Sequence, residues 1–169
     1  LGSYGSEIAT PNLDTLADTG VKMTQFYASP FCSPTRAMLM SGTDNHLAGF
    51  GDMAELMLPE QRGKPGYEGY LNFRVASLAD LMTDAGYNTY MVGKWHLTPS
   101  NEETAAGPYS RWPLARGFER FYGFLGGDTS QWYPDLVYDN HQVEPPKTPE
   151  EGYHLTEDLV DRSIEFITD

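Results

Sequence analysis

The spacing of apolar residues near the start of the chain predicts a helix followed by a strand. Thr10 is a suitable N-cap, and Pro11 suits the first position of a helix. The apolar residues of this helix share one face: Leu13, Leu16 and Ala17. Gly20 ends the helix, and the residues that follow, 21–27, have the composition of a strand.

The same order of elements is predicted a second time further along the chain. Ser77 and Asp80 form a capping box at the start of a helix. Its apolar residues again follow helical spacing: Leu78, Leu81, Met82 and Ala85. Gly86 ends this helix, and residues 87–92 are rich in β-forming side chains, so they predict a short buried strand.

A helix, a glycine, a strand and a polar loop thus occur twice, which predicts an α/β fold with a parallel sheet. In such sheets the functional site lies at the ends of the strands. Residues 98–153 are rich in glycine, proline and aromatic residues and are predicted to be irregular. Thr156 begins a last helix, and four of its apolar residues are expected to face inward: Leu159, Val160, Ile164 and Ile167.

Charge and composition exclude several functions. The net charge of −13 argues against a nucleic-acid-binding protein, because binding to phosphate backbones requires basic patches. No apolar run reaches the roughly 18 residues that a membrane span needs. The single cysteine excludes a disulfide within the chain and leaves the cellular compartment open.

That single cysteine lies in the run Cys-Ser-Pro-Thr-Arg at residues 32–36. Ser33 is a good N-cap and Pro34 fits the first helical position, so Cys32 is expected just before a helix N-terminus, where backbone N–H groups favour an anion. Arg36 adds a positive charge with a planar set of donors. The arrangement suits a nucleophile that attacks a tetrahedral oxyanion, although a lone cysteine is more often a small buried apolar residue.

A second run, Gly-Lys-Trp-His-Leu at residues 93–97, follows the second predicted strand. If the chain stays extended there, Lys94 and His96 point to the same side, because side chains alternate along a strand. A cation and an imidazole would then leave the strand end together. The alternative is a solvated lysine beside a hydrogen-bonded histidine.

Together the two runs resemble the signatures of type I sulfatases, Cys-x-Pro-x-Arg and Gly-Lys-Trp-His-Leu-Gly. This chain departs from the second only at Thr98, which replaces the last glycine and is expected to affect the loop more than the chemistry. Residues 10–14 resemble the opening helix of the family. Residues 65–72 resemble an insertion of one bacterial arylsulfatase group, and residues 116–119 resemble the family's Arg-Gly-Phe-Asp/Glu turn.

The resemblance implies an alkaline-phosphatase-like fold with a mostly parallel central sheet flanked by helices, and it implies a set of site residues. Cys32 would be converted by a formylglycine-generating enzyme to 3-oxoalanine (formylglycine) and would then also be a metal ligand. Arg36 would hold the formylglycine hydrate, and Lys94 would bind both the hydrate and the sulfate. His96 would assist the expulsion of sulfate. The expected metal is a divalent cation, Ca²⁺ by resemblance.

The resemblance also implies that residues 1–169 are the N-terminal part of a single sulfatase catalytic domain, truncated at both ends. A pair of metal-binding aspartates would precede Leu1. A later Asp-Asn pair, a second histidine and a second lysine would follow Asp169. The isolated chain is therefore expected to be inactive. The compartment is not identified, with bacterial cytoplasm or periplasm as the expected alternatives.

The function implied is hydrolysis of a small-molecule sulfate monoester of the aryl sulfate type. Because the chain is strongly acidic, its site must be locally positive to bind such an anion. Two alternatives stay open. One is a phosphonate monoester or phosphodiester hydrolase that uses the same site, and the other is a non-catalytic domain that keeps the fold.

Overall fold

The computed structural model describes residues 1–169 and contains four α-helices and four short strands. The helices are α1 (Pro11–Thr19), α2 (Cys32–Ser41), α3 (Leu78–Asp84) and α4 (Leu155–Thr168). The strands are β1 (Tyr90–Lys94), β2 (Arg120–Phe124), β3 (Leu136–Tyr138) and β4 (His141–Val143). None of the helices has the length and apolar content needed to cross a membrane.

The four strands form one sheet in the order β1-β2-β3-β4. Strands β1 and β2 are parallel, while β3 and β4 are antiparallel to their neighbours. The sheet within this chain is therefore mixed. The prediction that residues 98–153 are irregular is wrong, because this segment contains β2, β3 and β4. The latter two have only 3 residues each, too few for an alternating pattern to be recognised.

Two glycines allow β1 and β2 to approach closely at the end that leads to Lys94. Gly93 is paired with Gly123, and a Cβ atom added at Gly123 would lie 1.9 Å from the Gly93 carbonyl oxygen. Gly93 also has a φ of 105°, which other residues rarely adopt. Glycine at both positions therefore sets the course of the backbone into the Lys94–His96 segment.

The N-terminal segment differs from its prediction. Helix α1 forms as predicted, but Leu13 and Leu16 on its apolar face are exposed. The predicted strand at residues 21–27 is absent, and Val21 is 84% exposed. A strand requires a hydrogen-bonded neighbour, and none of the four strands of the sheet pairs with this segment.

Helix α3 has its predicted capping box, in which Ser77 Oγ accepts from the Asp80 N–H at 2.9 Å and the Asp80 carboxylate accepts from the Ser77 N–H. Its apolar face is not the buried one, because Leu78 and Leu81 are exposed and Ala79 is buried. The strand after it begins at Tyr90 rather than at residue 87.

Helix α4 forms, but its buried face is not the predicted one. Leu155 and Phe166 are buried, and Leu159 packs against them. Of the four residues expected to face inward, three are exposed: Val160, Ile164 and Ile167. The helix carries two apolar stripes, and the stripe that contains Phe166 contacts the sheet, with the Phe166 and Tyr90 rings 5.6 Å apart.

The buried apolar residues form two clusters. The site-side cluster has 11 residues and joins α2 to the end of β1 and the loops beside it, with Ala37, Trp95, Leu97 and Trp112 among its fully buried members. The sheet-edge cluster has 5 residues between the sheet and α4: Tyr122, Leu136, Tyr153, Leu155 and Phe166. The candidate site lies against the first cluster.

Candidate active site

Helix α2 places Cys32 in its first turn. The helix begins at Cys32 itself with Phe31 as the N-cap, so the prediction that Ser33 caps the helix is wrong. Gly42 ends the helix in a left-handed conformation. Cys32 is exposed, so it is not a buried apolar residue, and it lies where helix N–H groups lack intrahelical partners.

Ser33 points away from the helix end and into the interior. Its side chain is completely buried, and its Oγ lies 3.1 Å from Nδ1 of His96. The two residues are 63 positions apart in the sequence. The hydroxyl that was predicted to cap α2 therefore links α2 to the segment after β1.

Arg36 makes a second link between the same two segments. Its Nε donates to the Trp95 carbonyl oxygen at 2.6 Å, and its Nη2 donates to the Lys94 carbonyl oxygen. Burial lowers the pKa of Arg36, and the nearby charge of Cys32 acts in the opposite direction. The third nitrogen of the guanidinium, Nη1, forms no hydrogen bond with the protein, so it is available to a ligand.

His96 lies just beyond β1 and is only 3% exposed. Its φ of 52° takes the chain out of the extended conformation, so the strand alternation assumed for Lys94 and His96 does not reach His96. Both ring nitrogens have partners, Ser33 at Nδ1 and the Glu55 carboxylate at Nε2, the latter at 2.9 Å.

Lys94 is the last residue of β1 and is half-buried. Its ammonium group forms no ion pair and no side-chain hydrogen bond. Its positive charge is near enough to Glu55 to contribute to lowering the pKa of that carboxyl group. Lys94 thus remains available to bind an anion, on the same side of the site as the His96–Glu55 pair.

A family model for sulfatases matches residues 1–169. The chain belongs to the sulfatase family. It is 46% identical over 151 residues to an uncharacterized sulfatase of Schizosaccharomyces pombe, and this alignment covers 86% of the chain and 25% of the relative. It is 42% identical over 132 residues to an arylsulfatase of Klebsiella aerogenes, with coverage of 78% and 26%. The chain therefore spans about a quarter of the length of these relatives.

A solved structure shares the fold. The crystal structure of Ps i-CgsB superimposes with a TM-score of 0.74 at 26% identity, over 99% of this chain and 38% of that one. This similarity confirms the predicted α/β sulfatase fold.

Glu55 is the residue of this candidate site that the sequence did not indicate. Burial opposes its ionisation, but the hydrogen bonds from His96 and from the Glu55 backbone N–H, together with the charges of His96 and Lys94, hold its pKa below the ordinary value. Glu55 lies in a run of turns without periodicity or a recognised motif, so nothing in the sequence pointed to it.

A cavity of about 500 Å³ is lined in part by the residues that follow β2. Gly127 lines it and also lies against the histidine ring, because a Cβ atom added there would be 2.9 Å from His96 Cε1. Several of the residues lining the cavity are acidic, among them Glu103, Asp128 and Glu144. Burial and the negative charge of Glu55 raise the pKa of Glu103.

The remaining sulfatase-like segments support the site from a distance. Arg116 is buried and donates to the carbonyl oxygens of Leu71, Asn72 and Val75, so it joins residues 116–119 to residues 65–72. Thr98 Oγ1 accepts from the Trp95 indole at 2.9 Å and donates to the Arg111 carbonyl at 2.7 Å. These contacts show that Thr98 joins the two sides of the loop, and its small effect on the chemistry stays a prediction.

The donor set of this chain does not form a metal site on its own. Nowhere do three or more histidine, cysteine, aspartate or glutamate side chains converge in a way that would hold a metal ion. A divalent cation requires several oxygen ligands, and Cys32 is the one residue predicted here as a ligand. The metal therefore remains a prediction from family resemblance.

Proposed function

We propose that this chain carries part of the catalytic site of a sulfate monoester hydrolase of the arylsulfatase type. The observation that supports this most strongly is the junction of the two signature runs. Arg36 donates to the Trp95 carbonyl, and Ser33 contacts His96, so the start of α2 and the end of β1 are bound to each other. The similarity to the Klebsiella aerogenes arylsulfatase favours aryl sulfates as the substrate class.

The charges at this junction suit an anionic substrate. The chain as a whole is strongly acidic and repels a sulfate ester at long range, so attraction must be local. Arg36 Nη1 and the Lys94 ammonium group have no protein partners. Donors that are already in place before reaction stabilise developing negative charge in the transition state. We assign to Arg36 the binding of the nucleophile and to Lys94 the binding of both nucleophile and sulfate.

Cys32 is the proposed nucleophile precursor. Its exposure in the first turn of α2 leaves it accessible to a formylglycine-generating enzyme, the maturation partner that we propose. One hydroxyl of the formylglycine hydrate would lose its proton, attack sulfur and displace the phenol. Removal of the proton of the second hydroxyl would then break the C–O bond to sulfate and restore the aldehyde, which water hydrates again. His96 accepts a proton in the proposed reaction and so assists the release of sulfate.

The proposal includes a divalent cation, Ca²⁺, with the converted Cys32 as one ligand. Because the residues of this chain do not form a cation site by themselves, no step of the reaction is assigned to the metal.

The test is to express the full-length protein with and without a formylglycine-generating enzyme. Mass spectrometry of the peptide that contains residue 32 would measure the aldehyde, and turnover would be measured on an aryl sulfate and a phenyl phosphonate ester in parallel. We expect aldehyde and aryl sulfate turnover only after co-expression. Faster turnover of the phosphonate would indicate the alternative hydrolase class, and a missing aldehyde would indicate a non-catalytic domain.

The variant Cys32→Ser separates the proposed mechanism from ordinary serine chemistry. Serine keeps one hydroxyl but lacks the aldehyde route, so we expect a single round of sulfation followed by arrest. Cys32→Ala, which has no hydroxyl, should not be sulfated at all. Sustained multiple turnover by Cys32→Ser would contradict the mechanism.

A further inference from the structure

We propose that Glu55 is a positioning residue that holds His96 in the tautomer protonated at Nε2, so that the unprotonated Nδ1 faces the first turn of α2. The tautomer itself follows from the contacts of the chain. Only its consequence for turnover rests on the proposed function.

The first argument is the chemistry of the contact at Nε2. An ionised carboxylate can accept hydrogen bonds and cannot donate them. Glu55 Oε1 lies 2.9 Å from His96 Nε2, and the surroundings of Glu55 favour its ionised form. The proton of a neutral His96 ring must therefore lie on Nε2.

The second argument is the contact at Nδ1. With the proton on Nε2, Nδ1 has a lone pair and accepts the hydrogen of the Ser33 hydroxyl at 3.1 Å. Ser33 is completely buried, and this is the one side-chain contact of its hydroxyl. Because Ser33 directly follows Cys32, the basic nitrogen of His96 faces the part of α2 that carries the proposed nucleophile.

The third argument is that the ring has little freedom to reorganise. His96 is almost fully buried and so is its partner Ser33, whereas the Glu55 side chain is 46% exposed, so the Ser33 contact is the one most shielded from water. Gly127 lies against Cε1 of the ring. The positive charge of Lys94 favours the Glu55 carboxylate. The acidic group nearby is the half-buried Glu103, whose pKa is raised by burial and by the charge of Glu55. A carboxylate that orients a histidine toward a hydroxyl is a general way to fix a catalytic base.

Without Glu55, the tautomer with the proton on Nδ1 becomes accessible, and the nitrogen that faces α2 is then no longer a base. General acid–base groups contribute about a hundredfold or more to rates, and partners that orient a histidine contribute part of that. We expect Glu55→Ala to lower kcat roughly ten- to a hundredfold, with KM changed less than about twofold.

The direct test is nitrogen NMR of the full-length protein labelled with ¹⁵N-histidine at neutral pH. We expect His96 in the unaltered protein to show a protonated Nε2 and an unprotonated Nδ1. In Glu55→Gln, which is isosteric, the amide can either accept or donate, so the pattern should shift toward a mixture of tautomers. Glu55→Ala should shift it further.

The matched control is Glu60→Gln, because Glu60 is an exposed glutamate of the same segment without a side-chain hydrogen bond. Its variant should leave the His96 signals and kcat unchanged. The proposal is overturned if His96 carries its proton on Nδ1 in the unaltered protein, or if its signals are the same in all Glu55 variants.

The two proposals fail in different ways. If the unaltered protein turns over no sulfate ester but the His96 tautomer still depends on Glu55, the proposed function is wrong and the positioning role stands. If turnover is normal in Glu55→Gln and Glu55→Ala and the tautomer is unaffected, the positioning role is wrong and the proposed function stands.

Discussion

The two clusters of this chain use their polar side chains in different ways. Next to the site-side cluster, Arg36 and Arg116 donate to main-chain carbonyl oxygens of segments far away in sequence. In the sheet-edge cluster, side chains bind each other, since Tyr122 and Tyr153 both donate to Asp158 Oδ2, at 2.7 and 2.9 Å. The first kind of contact fixes the course of the backbone, whereas the second attaches α4 to the sheet.

This difference separates residues that build a site from residues that only stabilise the fold. The bonds from Arg36 set the position of the Lys94–Trp95 peptide relative to α2, so their loss moves candidate catalytic groups. The Asp158 contacts hold no segment of the candidate site. We therefore expect substitutions in the site-side cluster to change kinetic constants, and substitutions in the sheet-edge cluster to change the free energy of unfolding alone.

The largest decrease in kcat should come from Lys94→Ala, which removes a positive charge that has no protein partner. Loss of one preorganised donor to a developing anion costs about a hundredfold or more in kcat, and we expect a loss of that size. The measurement is steady-state kinetics on an aryl sulfate. Lys147→Ala, at an exposed lysine far along the chain, is the control for loss of charge. Near-normal kcat in Lys94→Ala would mean that the sulfate binds elsewhere.

Arg36→Lys should have the next largest effect. Lysine keeps the charge but cannot reach two carbonyl oxygens and a ligand at once, because it lacks the planar set of donors. We expect kcat to fall about tenfold or more, and the free energy of unfolding to fall by about 1–3 kcal/mol because a buried carbonyl loses its donor. Urea unfolding and kinetics measure the two effects.

Arg162→Lys is the matched comparison from the sheet-edge cluster. The Arg162 guanidinium lies 4.7 Å from the centre of the Tyr122 ring, and it touches no candidate site residue. Its replacement should leave kcat within about twofold, since the half-buried Arg162 packs on the sheet-edge cluster and away from the groups proposed to bind sulfate. A similar loss of kcat in both variants would remove the distinction between the clusters.

The sequence predicted well those features that depend on a few neighbouring residues. The capping box of α3, the Pro11 start of α1 and the glycine end of α1 are all local signals, and each was found. The family resemblance rests on short runs of this kind, and the family is confirmed. Features that depend only on residues close together in the sequence can therefore be predicted without a structure.

The sequence-based predictions were wrong where contacts between residues distant in the sequence determine the structure. Ser33 has the chemistry of an N-cap, yet it lies next to His96, and no local rule anticipates a partner 63 positions away. Ile167 is as apolar as Phe166, but only the latter faces the sheet. Glu55 had no local signal at all. Tertiary contacts determine which strands pair, which face of a helix is buried and which side chains bind each other. A periodic sequence pattern does not contain this information.

A smaller effect is expected from Tyr122→Phe in the sheet-edge cluster. The variant keeps the ring and loses one hydrogen bond to the Asp158 carboxylate. A hydrogen bond to a charged group contributes about 1.5–3 kcal/mol, and Tyr153 can still satisfy Asp158, so we expect a loss near the lower end. Urea unfolding gives the free energy, and kcat should stay within about twofold. A large fall in kcat would show that α4 influences the site.

The last prediction concerns a change in slope, the pH dependence that the two tyrosines together give to the free energy of unfolding. Burial, and then the hydrogen bond to Asp158 and its negative charge, raise the pKa of Tyr122 and of Tyr153 in the folded chain. Above about pH 10 the unfolded chain releases these protons while the folded chain keeps them, so the unfolded state is favoured as pH rises. Their contribution to the free energy of unfolding should therefore not change with pH below about pH 10 and should decline above it. In the double variant Tyr122→Phe/Tyr153→Phe the decline between about pH 9 and pH 11 should be shallower, although the variant is less stable at pH 7. Equal slopes in the two proteins would mean that these tyrosines ionise as easily in the folded chain as in the unfolded one, and that Asp158 does not hold them as the structure indicates.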